Sequence, residues 1–225
     1  MIKKFIESFK SKDAVNMVFF GDSVTQGFFE SHEQMHGTVD YEAVYHNVLK
    51  KYINFLFPKK RINIINSGVG GETASAAVKR LDSDVLAYSP DIAVVCFGLN
   101  DINDEKERFV NSLSEIFKRL NEAEIPTVYM TPNMLNTRVI MPALKDYAQK
   151  TAEYQTTGRM DAYMTAAKAA AEENGITVCD CYSAWKHLGE LGADTSRLLA
   201  NGINHPKREM HRLFAHMLMK TVFFD

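Results

Sequence analysis

The sequence predicts a doubly wound α/β domain, and three observations carry that prediction. Short apolar runs recur at Val15–Phe20, Ile62–Ile65, Ile92–Phe97, Pro126–Met130 and Ile176–Cys179, with helix-forming stretches between them. These runs are nearly continuous rather than alternating, as strands buried on both faces require. No repeat, low-complexity tract or linker interrupts the alternation, so a single domain over residues 1–225 is the economical organisation. With 46% hydrophobic and 24% charged residues among 225, the chain can bury a substantial core.

Composition also narrows the partners. A net charge of −2, from 26 basic and 28 acidic residues, gives no reason to invoke nucleic acid or an anionic membrane; a small molecule is the expected partner. Three cysteines, Cys96, Cys179 and Cys181, are too few for a disulfide framework. Cys-x-Cys also lacks the second ligand pair of a zinc site, so buried reduced thiols and no metal are expected. The segment Met1–Glu7 carries an acid among its apolar residues and lacks the apolar core and cleavage site of a signal peptide. No stretch approaches the roughly 20 apolar residues of a membrane span. A cytoplasmic location is the expectation.

Taken in order, Ile2, Phe5, Ile6 and Phe9 share a face and predict a short amphipathic helix. The first strand then runs into Gly21-Asp22-Ser23, leaving a serine at the mouth of a buried strand. Ligand crevices in open α/β sheets lie beyond the carboxyl ends of the strands, although turn and cap chemistry also explains Gly-Asp-Ser. Residues 28–38 read as a polar, irregular loop apart from Phe28 and Phe29, with His32 and His36 as solvated residues or one of them as a substrate contact, and with closure of the loop over substrate left open. Asp40 is expected to cap a helix to Phe57, with Val44, Val48, Tyr52 and Phe55 inward and Pro58 as its stop.

The second strand leads into Asn66-Ser67-Gly68-Val69-Gly70-Gly71-Glu72-Thr73 and an alanine-rich helix. Glycine-rich backbone before a helix suits an anion or a transient oxyanion, and equally a tight turn; neither Walker nor Rossmann spacing is present. The third strand ends in Gly98-Leu99-Asn100-Asp101, where Asn100 offers side-chain donors and Asp101 an acceptor for neighbouring loop backbone, or the pair forms an Asx turn before a helix over residues 104–123. After the fourth strand comes an irregular stretch to Pro142, then a helical segment over residues 143–173 with a break near Thr157-Gly158. Met130, Met134, Met141, Met160 and Met164 are core filler or an adaptable apolar wall. The fifth strand ends at Asp180, the expected N-cap of a helix carrying Trp185. Last come the loop with His205-Pro206 and a helix with Leu213, Phe214, Met217 and Leu218 inward; His211 and His216 are expected to be structural or exposed.

Successive strand ends and one late loop thus place Ser23, the turn at Gly71, Asn100 and His205 on one face. Acyl transfer needs such a set, because a serine hydroxyl requires a positioned base and the tetrahedral intermediate requires donors for its new negative oxygen.

The blocks Gly21-Asp22-Ser23, Gly68 to Thr73, Gly98 to Asp101 and His205-Pro206 together resemble the SGNH hydrolases, or GDSL esterases and lipases, over nearly the whole chain. The resemblance implies a three-layer α/β/α sandwich, flavodoxin-like, with about five parallel strands and no metal or organic cofactor. It implies Ser23 as nucleophile, His205 as base, and an oxyanion hole made by the backbone N–H groups of Ser23 and Gly71 and the amide of Asn100. One departure stands out: the family's aspartate three residues before the histidine is replaced by Gly202. The expectations that follow are a Ser23–His205 dyad oriented by a carbonyl or by Asn201, or an acid from elsewhere such as Asp180. The expected activity is hydrolysis of a short-chain ester, acetyl in the first place, of a carbohydrate or similar hydroxylated molecule. The alternatives are a lysophospholipase or thioesterase acting on longer chains, and a non-catalytic ligand-binding protein.

Overall fold

The computed structural model describes residues 2–31 and 37–224. In chain order, α1 (Ile2–Ser11), β1 (Ala14–Gly21), α2 (Ser23–Gln26), β2 (Phe28–Ser31), β3 (Gly37–Val39), α3 (Tyr45–Leu56) and β4 (Arg61–Gly68) form the first part. There follow α4 (Ala74–Ala77), α5 (Leu81–Asp84), β5 (Ile92–Cys96), α6 (Lys106–Glu122), β6 (Thr127–Met130), α7 (Lys145–Thr156), α8 (Arg159–Glu173), β7 (Thr177–Cys179), α9 (Cys181–Glu190) and α10 (Arg208–Phe223).

The main sheet has five parallel strands in the order β4-β1-β5-β6-β7. This is the flavodoxin-like order, and helices cover both faces, giving a three-layer α/β/α sandwich. β1 lies between β4 and β5 and pairs with both, ending level with them at Gly21↔Gly68 and Gly21↔Cys96. Its side chains alternate faces: Phe19 meets Tyr45 and His46 of α3, whereas Phe20 meets the Phe97 ring and the Arg80 guanidinium on the other side. On the first face α1 is locked by edge-on aromatic contacts, Phe5 with Phe223 and Phe9 with Phe57 and Phe223. On the second, α6 packs between α4 and α8.

Several local expectations are corrected. Residues 28–38 are not wholly irregular, because β2 and β3 pair as an antiparallel ribbon apart from the main sheet; His32 and His36 lie outside the described residues. The helix predicted from Asp40 begins at Tyr45, since the Asp40 carboxylate is engaged by Arg208 and caps only the turn at Ala43 N. Its most buried stripe is Tyr45, Leu49 and Ile53; of the predicted set Val44 is fully buried, Val48 and Tyr52 are half-buried against the core, and Phe55 is exposed. Tyr45 faces in because its hydroxyl reaches Thr25 Oγ1 at 3.0 Å. The alanine-rich segment after β4 is broken into short pieces, α4 and α5, rather than one helix. In α10, His211 is buried and Leu213 and Met217 are only half-buried, whereas His216 is exposed. The break near Thr157-Gly158 is real, with Gly158 at φ +80 between α7 and α8.

The Phe5 ring is fully buried within this aromatic cluster, at the end of the molecule opposite the strand termini. Phe5→Ala is expected to lower unfolding free energy by about 3–5 kcal/mol; urea unfolding measures it, and kcat of the folded fraction should not change.

Candidate active site

The carboxyl end of β1 turns at once into α2, so Ser23 is its first residue and Asp22 its N-cap, with Asp22 Oδ1 accepting Val24 N–H at 2.9 Å. The loop after β4 brings up Gly71 in the left-handed region, at φ +76, a conformation that glycine alone adopts at low cost. The turn after β5 brings Asn100, whose Nδ2 donates to the Glu72 carbonyl at 2.9 Å and so ties the second and third strand ends together. These three residues line one cavity of about 550 Å³, together with His205 and, around the rim, Phe28, Leu144, Tyr147 and Ile203. The loop before α10 lowers His205 onto the serine: Nε2 stands 2.9 Å from Ser23 Oγ.

What orients the imidazole is a carbonyl. His205 Nδ1 lies 3.0 Å from the Phe29 carbonyl oxygen, contributed by β2. A carbonyl only accepts, so Nδ1 carries the proton and Nε2 presents its lone pair to the serine hydroxyl. Burial pushes the His205 pKa down to about 4, opposed by the Phe29 bond and the Glu30 charge, so the ring is neutral and able to take a proton at neutral pH.

The other two candidates for that role are engaged elsewhere. Asn201 Oδ1 accepts the backbone N–H groups of Ile203, Asn204 and His205 at 2.9–3.0 Å, and its Nδ2 donates to Asn204 Oδ1 at 2.8 Å, so it braces the loop and not the ring. Asp180 caps α9 through Ser183 N–H and pairs with Lys168 at 2.7 Å. Burial raises its pKa, but Lys168 and the Ser183 bonds outweigh that and hold it below the ordinary range.

Asp101 accepts from loop backbone, as its place after the third strand predicts, whereas two other features under the site, Arg80 and Phe29, were not legible as functional. Asp101 Oδ1 accepts Ala74 N–H at 2.8 Å and anchors the turn that carries Gly71. Arg80 forks onto Glu72, reaches Asp84 and the Ser67 carbonyl at 2.8 and 2.9 Å, and approaches the Gly21 carbonyl at 3.4 Å, clamping the ends of β1 and β4. Phe29, read as an apolar exception in a loop, supplies the carbonyl. The five methionines do not form the substrate wall: Met130, Met134, Met160 and Met164 are buried in the core, and the wall from that part of the chain is Leu144 and Tyr147. Among the described residues no cluster of three or more His, Cys, Asp or Glu side chains is gathered as a metal site. Cys179 and Cys181 are buried, unjoined thiols 3.8 Å apart. No helix among the described residues is long and apolar enough to cross a membrane.

Comparison with known proteins gives a consistent picture. The family model described as GDSL-like Lipase/Acylhydrolase family matches residues 19–213. An acetylxylan esterase of Geobacillus stearothermophilus is 21% identical over 212 residues, covering 93% of this chain and 94% of that protein. A solved mutant of an acetyl-xylooligosaccharide esterase from the same organism superposes with a TM-score of 0.73 at 20% identity, covering 94% of this chain and 95% of the other. A two-domain esterase active on acetylated mannans superposes with a TM-score of 0.73 at 19% identity over 100% of this chain and 53% of its own.

The buried cap that precedes Ser23 carries a cost that can be measured. Burial raises the Asp22 carboxyl from its ordinary 3.8 to about 7, only partly opposed by the Val24 bond, and its Oδ2 has no partner among the described residues. A carboxyl with a raised folded-state pKa contributes stability below about pH 4 that is lost as pH rises through about 7. Asp22→Asn keeps the Val24 cap and removes the titration, so the stability of wild type relative to the variant is expected to fall between pH 4 and 7. Thermal unfolding of both proteins across that range checks the slope; parallel curves would contradict it.

Proposed function

Starting from a chain that belongs to the GDSL-like lipase/acylhydrolase family and is a carboxylic ester hydrolase, we propose a serine esterase that removes a short acyl group, acetyl in the first place, from a carbohydrate or similar hydroxylated small molecule. The observation that carries this reading is the 2.9 Å approach of His205 Nε2 to Ser23 Oγ in an open, asparagine-lined cavity.

Ser23 Oγ attacks the ester carbonyl carbon as its proton passes to His205 Nε2, and the carbonyl electrons move onto oxygen. The backbone N–H groups of Ser23 and Gly71 and the amide of Asn100 receive that oxyanion. Collapse breaks the bond to the alcohol oxygen, which takes the proton from Nε2 and leaves acyl-Ser23. Water then attacks the acyl carbon with His205 as base, and the acid departs as the serine recovers its proton. Throughout, Nδ1–H stays on the Phe29 carbonyl.

Support for the substrate class comes from the lining. Asn100 and Asn204 offer polar groups at the cavity, and Tyr147 is 43% exposed beside it, the mixture of fixed polar contacts and an apolar platform that suits a hydroxylated ring. The named activities of the relatives, on acetylated xylan and mannan, point the same way. The longer-chain alternative rested on the methionines, and most of these are in the core. The cytoplasmic setting belongs to the same proposal and rests on the sequence reading.

Fluorophosphonate labelling with peptide mapping, followed by a p-nitrophenyl ester series, tests the reading. An adduct on Ser23 and highest kcat/KM on acetate are expected; a preference for long chains would overturn the deacetylase reading, and a labelled peptide lacking Ser23 would overturn the nucleophile. Asn100→Ala is expected to lower kcat by about 10²- to 10³-fold, the usual effect of losing one oxyanion donor. A loss under about threefold in the same steady-state assay would remove Asn100 from the hole.

A further inference from the structure

His205 depends on the Phe29 carbonyl, yet the main sheet does not hold Phe29 in place. Among the described residues β2 pairs only with the short β3, in a two-stranded ribbon outside the five-stranded sheet. Such a ribbon is marginal by itself. Besides the buried Phe29 ring and the Asp40 N–H bond to the Gly27 carbonyl, its attachment runs through Arg208, which follows His205 by only three positions. Arg208 Nε donates to Asp40 Oδ2 at 2.8 Å, and its Nη1 and Nη2 donate to the two carboxylate oxygens of Glu30 at 2.5 and 3.4 Å. The guanidinium carbon sits 4.4 Å from the centre of the Phe29 ring, and the His211 ring lies 4.7 Å from that same ring. The arginine therefore grips the residue on each side of the ribbon and covers the buried side chain of the residue whose carbonyl matters. The segment joining it to His205 is itself fixed, by Ala200 N–H on the His205 carbonyl at 2.6 Å and Lys207 N–H on the Leu198 carbonyl at 2.9 Å.

We infer that Arg208 is a positioning residue for the reaction: by clamping Glu30 and Asp40 and covering Phe29, it holds the Phe29 carbonyl against His205 Nδ1 and so supplies the orienting role for which this chain lacks an aspartate. The inference rests on the reading of Ser23 and His205 as the reacting pair. A planar fork suits this task better than an ammonium, because one side chain must meet two carboxylates and a ring at once. The ion pairs are part-exposed and each contributes little to stability. Their effect is geometric: a base displaced from its serine by a fraction of an ångström transfers the proton poorly.

The test compares Arg208→Ala, Arg208→Lys and, as a control for the loss of a part-buried arginine distant from the cavity, Arg119→Ala. For each, kcat and KM on p-nitrophenyl acetate and the rate of fluorophosphonate labelling at Ser23 are measured well below the variant's Tm. Arg208→Ala is expected to lower kcat and the labelling rate by about 10- to 100-fold with KM within about threefold. Arg208→Lys should recover part of that loss, and Arg119→Ala should stay at the wild-type rate. An Arg208→Ala protein that turns over and labels within about twofold of wild type overturns the inference, as does an equal loss in Arg119→Ala, which would mean general loosening. If Arg208→Ala does not fold, Glu30→Gln combined with Asp40→Asn releases the same clamp from its other side and must reproduce the kcat loss. A wild-type chain that fails to label at Ser23 overturns the dyad and this inference with it; a wild type that labels while Arg208→Ala labels as fast overturns the role of Arg208 alone.

Discussion

A buried neutral imidazole must place its Nδ1–H on an acceptor if its other nitrogen is to face a serine, and here the acceptor is the Phe29 carbonyl at 3.0 Å. Much of the local structure answers to that bond. The neutral state follows from burial, which depresses the His205 pKa to about 4. The tautomer follows from the carbonyl, which can only accept. A carbonyl brings no net charge to stabilise the imidazolium formed during proton transfer, so geometry has to supply what charge does not. The strand that presents Phe29 and the loop that presents His205 must therefore be held in register with each other.

The nucleophile side is fixed by the sheet. A central strand bonded on both edges has no freedom at its end, so Ser23 is placed by the pairing of Gly21 with Gly68 and Cys96. The same three strand ends carry the turns that bear Gly71 and Asn100, and buried charge ties those turns together: Asp101 to Ala74, Arg80 to Glu72 and to the Ser67 and Gly21 carbonyls. Asp22 and Asp101 both have pKa values raised to about 7 by desolvation, each with one carboxylate oxygen unpartnered among the described residues. The oxyanion side of the cavity is thus held at an electrostatic cost, as expected where position matters more than stability.

The sequence made the sheet and the serine side legible for one reason: both are written in local pattern. Apolar runs mark the buried strands, and a glycine with polar residues close behind it marks where β1, β4 and β5 open at the crevice. In α3 the deepest stripe lies one position beyond the flanking one, because Val48 and Tyr52 are spaced as well for a helix face as Leu49 and Ile53, and only the packing of α3 against β4 and α10 ranks the two. A carbonyl was one of the orienters expected for His205, but which carbonyl it is was illegible for a different reason. A backbone carbonyl leaves no residue signature, β2 is four residues of mixed polarity, and the contact that secures it spans more than 170 positions, from Glu30 to Arg208. The apolar pair Phe28-Phe29 at the head of a polar stretch was the available signal, and the Phe29 ring is fully buried.

The loop before His205 explains why an aspartate at position 202 is not an option in this fold. Gly202 has φ +65, and a Cβ there would lie 2.8 Å from Ile140 Cγ1 and 3.1 Å from Met141 Cγ, so any side chain meets both backbone strain and a filled site. Asn201, one residue earlier, uses its amide oxygen on three successive N–H groups and its amide nitrogen on Asn204. A carboxylate at 201 could accept those three bonds but could not donate to Asn204, and it would add a charge to a buried loop. The asparagine is therefore the residue that closes this loop without leaving a group unpaired. With the loop closed in that way, no side chain of 201 or 202 is left for the ring, and the imidazole turns to the nearest fixed acceptor, on the strand that follows the nucleophile.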